Sequence, residues 1–173
     1  MLFFSKKSPE EKEKQRIEKL RRTEGERGFG GALMTPVGDL NLADLCIVRL
    51  DPAQQCIRIT CQKKEHTVPY SALVSMNVAS ESQIAKGESP ITAEEMNALI
   101  EGEASAFVGA LEKDQIYRAR WFIRICYTDA DGAERHLIWL AYSMRGPYMA
   151  SSKLYAAAQF EETFADILSR GDL

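Results

Sequence analysis

The stretch Trp121–Leu140, WFIRICYTDADGAERHLIWL, decides the fold class. Two runs of alternating side chains flank Asp129-Ala130-Asp131-Gly132. A period of two is the mark of a β-strand, and a short polar segment with glycine between two such runs predicts a hairpin. Gly132 supplies the positive φ such a turn needs. The alternation reaches back to Ile116. Tyr117, Ala119, Trp121, Ile123 and Ile125 fall on one face, and Arg118, Arg120, Phe122, Arg124 and Cys126 on the other. Glu134–Tyr142 is the partner strand.

Upstream the same periodicity returns in shorter runs. Leu42–Leu50 and Cys56–Cys61 are β-branched and alternating, joined by the turn Asp51-Pro52-Ala53-Gln54, in which proline presets φ. His66–Pro69 forms a third strand and ends at a residue that cannot donate to a ladder. After the bend Tyr70–Leu73 comes a fourth, Val74–Val78. Residues 88–113 interrupt the series. Thr92-Ala93-Glu94-Glu95 reads as a capping box, and Met96, Leu99, Ile100, Phe107, Ala110 and Leu111 follow at helical spacing. Gly102 is a place for that helix to bend or break. Downstream, Ser143–Pro147 is a polar break. The chain then ends in a helix over about 151–170, with Leu154, Ala157, Ala158, Phe164, Ile167 and Leu168 as its apolar stripe.

The N-terminal region differs in character. Ser8, Pro9 and Glu11 stand where a helix start places cap, first residue and cap partner. The predicted helix has only Ile17 and Leu20 to bury, so it is solvated, frayed or docked on something else. Gly25, Gly28, Gly30 and Gly31 predict a flexible joint. This divides the chain into a basic arm and linker at 1–32 and a globular domain at 33–173. Residues 1–22 carry eight basic and four acidic groups, a net +4, and the rest of the chain carries 14 basic and 21 acidic groups, a net −7. The 173 residues are 45% hydrophobic and 27% charged, ordinary for a water-soluble domain able to bury a core without staples.

Segments of strand, one helical excursion, more strands and a terminal amphipathic helix make an α+β order. A bent antiparallel barrel closed by the last helix buries all these faces. In LCIVRLDPAQQCIRIT, VPYSALVSMNV, WFIRICYTDADGAERHLIWL and the closing helix through Phe164 and Leu168, the chain resembles the bacterial PH-like superfamily, which includes GRAM-like modules. The resemblance spans about residues 33–170. It implies a seven-stranded split β-barrel plugged by a C-terminal helix, used to bind lipids, peptides or proteins and almost never for catalysis. The helical segment between the fourth and fifth predicted strands is an insertion relative to that plan. Lipid-binding members gather Lys and Arg around the first hairpin loop. Here Asp51–Gln55 has only Arg49 and Arg58 beside it, which speaks against inositol phosphates.

No residue pattern for chemistry emerges. The chain has two histidines, His66 and His136, and four cysteines without CxxC spacing, so neither a metal site nor a nucleophile–histidine pair is expected. The cysteines read as buried small hydrophobes. Asp129-x-Asp131-Gly132 resembles the start of a calcium loop, but its twelfth position falls at Leu140. Gly28-Phe29-Gly30-Gly31 lacks the Lys-Ser/Thr of a phosphate loop. Glu94, Glu95, Glu101 and Glu103 are expected to face solvent. No cofactor is expected and no enzyme activity.

What remains is binding. Arg118, Arg120 and Arg124 with Phe122 offer a face for a protein partner, the alternative being a plain outward strand face neutralised by residues such as Glu134. Leu2, Phe3 and Phe4 followed by Lys6 and Lys7 could touch an anionic membrane surface weakly and reversibly. Nucleic acid is not expected, because the body is acidic. The first residues lack the order of a secretory signal, so a cytoplasmic location, with possible membrane association, is expected.

Overall fold

In the computed structural model, residues 8–102, 120–142 and 150–170 are described. The Asp129 hairpin forms as predicted. Gly132 has φ +79°, and the Asp129 carboxylate accepts from the N–H groups of Asp131 and Ala133 at 3.0 and 2.9 Å. The flanking strands pair Cys126 with His136 and Thr128 with Glu134.

Seven strands are described: β1 (Gly28–Leu33), β2 (Leu45–Asp51), β3 (Cys56–Cys61), β4 (Lys64–Pro69), β5 (Leu73–Ser80), β6 (Trp121–Thr128) and β7 (Glu134–Tyr142). They form one antiparallel sheet in the order β4-β3-β2-β1-β7-β6-β5. Two meanders, β1–β4 and β5–β7, thus meet only where β1 pairs with β7, Ala32 opposite Leu140 and Leu33 opposite Trp139. Inward side chains from all seven strands join a single cluster. Such a sheet is curled around its own core, consistent with a split barrel or sandwich.

The C-terminal helix α4 (Ala150–Ser169) fills the curl. Ala157, Phe160, Phe164 and Ile167, spaced three and four apart, are all buried. Phe29 of β1 meets both Trp139 and Phe160 edge-on, with ring centroids 5.4 and 5.0 Å apart. Tyr70, in the short 3-10 turn Tyr70–Ala72, donates its hydroxyl to buried Glu24 at 2.9 Å, and Arg170 at the end of α4 donates to the same carboxylate at 2.7 Å.

The glycine-rich run is not a joint. It is β1, the strand that holds the two meanders together. A Cβ on Gly31 would lie 3.0 Å from both the Leu140 carbonyl oxygen and Trp139 Cβ, and one on Gly28 would lie 2.7 Å from the Val48 carbonyl oxygen. The glycines therefore permit close approach of neighbouring strands, one recognised use of glycine within a sheet. The division at residue 32 falls inside this strand's end. The segment before it is docked as well. Helix α1 (Pro9–Arg22) has the predicted capping box at Ser8 and Glu11, buries Leu20, and lies on α4 through Arg16–Glu162 and Arg21–Asp166 ion pairs.

Because β1 adds a strand at the start, the helical excursion lies between β5 and β6. It opens with α2 (Glu81–Lys86), which the sequence reading did not anticipate, and continues with α3 (Ala93–Glu101), ending at Gly102. The remainder of the predicted helix, including Phe107, Ala110 and Leu111, is outside the described residues.

Candidate functional site

The outer face of β6 and β7 decides what the predicted arginine stripe can do. Phe122 is fully buried, at 0% exposure, in a second apolar cluster with Ile138, Met34, Ile84, Ile91 and Met96. Ile84 of α2, Met96 of α3 and Ile91 between the two helices come onto the strand face, beside Met34 just after β1. The expected exposed Arg/Phe surface is therefore corrected: alternation placed these residues on one face, and the helical excursion covers that face.

Each described arginine of the stripe is engaged by the cover. Arg120 is 5% exposed, and its guanidinium grips the Glu81 carboxylate, Nε to Oε2 at 2.6 Å. The Glu81 N–H donates to the Arg120 carbonyl at 2.8 Å, so the start of α2 is tied to β6 twice. Arg124 donates to Glu95 Oε2 at 2.7 Å, Asn77 Oδ1 at 2.9 Å and the Pro90 carbonyl at 3.3 Å. Arg118 is outside the described residues, as are Leu2, Phe3, Phe4, Lys6 and Lys7.

Glu95 has left its expected place. Thr92 caps α3 by accepting the Glu95 N–H at 3.1 Å, but the return bond of a capping box is not made. The Glu95 carboxylate instead spans Arg124 and His136, with His136 Nδ1 2.9 Å from Oε1. The other ring nitrogen, Nε2, is 2.9 Å from Glu134 Oε1. Hydrogen bonds to Glu134 and Glu95 hold the imidazole pKa above its ordinary value, since carboxylates on both sides favour the imidazolium. Cys126, directly across the ladder from His136, brings a buried thiol beneath them. The nearest ligand atoms of Cys126, Glu134 and His136 all lie within 4.8 Å of one another. Along the chain these residues, at 126, 134 and 136, lack the usual spacing of metal ligands. Counting outward from the Asp129 turn pairs Cys126 with His136 and places Glu134 on the same face.

Among the described residues the exposed large apolar side chains lie elsewhere: Val74 on β5, Tyr155 and Leu168 on α4, and Leu45 and Ile47 together on the solvent side of β2. Leu45 is 76% exposed and Ile47 50%. Register places Ala32 opposite Leu45 and Gly30 opposite Ile47, so the apolar strip crosses two strands. Arg49, exposed, continues the same face of β2, with Arg58 opposite it on β3. Arg58 is held by Asp51 at 2.7 Å, which with Glu65 raises the pKa of its guanidinium.

Comparison with protein-family models, with curated proteins and with solved structures finds no match. Among the described residues no helix is long and apolar enough to cross a membrane.

Proposed function

We propose that this chain is a non-catalytic binding module of PH-like architecture whose protein partner docks on the solvent face of β1 and β2. The observation that carries this reading is the exposure of Leu45 and Ile47 side by side on β2, a strand paired with β1 and β3 within the sheet. Large aliphatic side chains on the solvent side of an inner strand cost solubility and add nothing to the core, and such patches mark interaction surfaces. Glycine and alanine beside them leave the strip shallow enough for a partner's side chains. Arg49 at its end selects a partner with an acidic group next to its apolar contacts. The two-meander strand order and the helix packed on the core support the PH-like reading, in which the barrel is a platform.

The test is affinity capture from cytosol followed by reconstitution with the purified partner. Leu45→Asp with Ile47→Asp should leave the circular dichroism spectrum unchanged and abolish the reconstituted complex. An unchanged complex with the double variant removes this face from consideration. Sedimentation with anionic vesicles that weakens with salt and disappears on deletion of residues 1–7 would favour the alternative, membrane contact through Leu2, Phe3, Phe4, Lys6 and Lys7. Because α1 is docked on α4, that deletion stops before the helix.

A further inference from the structure

We propose that Cys126, Glu134 and His136 form a binding site for one zinc-class divalent cation. A thiol, an imidazole and a carboxylate converge from adjacent positions of one hairpin, with their ligand atoms within 4.8 Å of one another. Ligand atoms on a tetrahedral zinc stand about 3.3–3.6 Å apart, given zinc bonds of about 2.0–2.3 Å. The His136 Nε2 and Glu134 Oε1 atoms, 2.9 Å apart, need to open only slightly, and Glu134, whose side chain is 60% exposed, is free to do so.

The second ring nitrogen strengthens the case. A metal-bound imidazole donates its other N–H to a carboxylate, which fixes the tautomer and the ring orientation. Glu95 Oε1 already stands 2.9 Å from His136 Nδ1, and Glu95 is itself held by Arg124 at 2.7 Å. That carboxylate has forgone the local return bond of its own helix cap. The arrangement thus has three ligands and a positioned outer carboxylate, and the fourth coordination position is left to water.

The donor set selects the metal. A sulfur and an imidazole nitrogen with one carboxylate suit zinc and its neighbours, whereas calcium and magnesium require oxygen ligands. On binding, the Cys126 thiol gives up its proton to solvent, and so does His136 Nε2 where it carries one. Thiolate and Glu134 together then balance the charge of a divalent ion, and His136 binds as neutral imidazole. Arg124 is paired with Glu95 at 2.7 Å.

The experiment titrates the full-length chain with cobalt(II), as a spectroscopic stand-in, and with zinc against a chelator of known affinity. One metal per chain is expected, with a thiolate-to-cobalt charge-transfer band and the intense visible bands of a tetrahedral site. His136→Asn and Glu134→Gln alter exposed positions, and each should weaken binding by at least about tenfold. Glu95→Gln should weaken it by about 10- to 100-fold while the charge-transfer band survives, as loss of an outer partner does. Cys126→Ser should abolish the band. If that variant does not fold, the band in the parent chain and its loss in His136→Asn decide the matter. Absence of binding in excess metal, binding without the sulfur band, or a band undiminished in His136→Asn would each overturn the proposal.

Discussion

Cys46 shows how a residue's surroundings set its chemistry. It is buried between β1 and β3, and burial pushes its thiol pKa up to about 11. At pH 8 it is therefore protonated and shielded, and iodoacetamide should leave it unmodified in the native chain but alkylate it in urea, as read by peptide mass spectrometry. Asp129 moves the other way. Its Arg135 partner and the N–H groups of the turn lower its pKa below the ordinary 3.8. A depressed carboxyl stabilises the fold above its unfolded value, and that contribution is lost as pH falls through the folded one. In acid unfolding, Asp129→Asn should flatten the pH dependence below about pH 4, and the native Asp129 carboxyl should titrate below 3.8 by NMR. Glu24 is buried with two donors. Tyr70→Phe removes one hydrogen bond to a charged acceptor and should cost about 1.5–3 kcal/mol in urea unfolding. The Arg120–Glu81 pair is enclosed as well. Arg120→Ala takes the guanidinium from the buried Glu81 carboxylate and should cost about 3–5 kcal/mol, whereas Arg120→Met with Glu81→Leu should recover most of that loss.

Among the elements, the late hairpin, its turn, the β2–β3 hairpin and the α1 cap were legible because each rests on local signals: alternation, a turn residue, a cap pair. β1 was not. Its glycines carry no side chains to alternate, and glycine is also what a linker contains, so close packing and flexibility look alike in sequence. A substitution separates them. Gly31→Val would place its Cβ against β7 and should part the two meanders, lowering the thermal midpoint sharply, while a true linker would accept valine without penalty. The arginine stripe illustrates a second limit. Periodicity correctly put Phe122 opposite Ile123 but says nothing about whether the second face meets water or another element. Helix α2 is only six residues long, and its Ser80–Gln83 capping box was the one local trace of it. Cys126, Glu134 and His136 escaped for a related reason: metal-ligand spacing is sought along the chain, while these residues are neighbours across the ladder.

For the whole molecule, two apolar cores lie on opposite sides of β6–β7, one closed by α4 and the other by α2 and α3. That arrangement engages Arg120 and Arg124 within the fold and leaves Leu45 and Ile47 as neighbouring exposed apolar side chains on β2. Hydroxyl-radical footprinting of the native chain, read residue by residue, tests this division directly. Leu45 and Ile47 should label readily, while Phe122, Met34 and Met96 are protected even though methionine is intrinsically the more reactive side chain. Labelling of Phe122 and the two methionines at rates matching Leu45 would show the helices standing away from the sheet and would contradict the account.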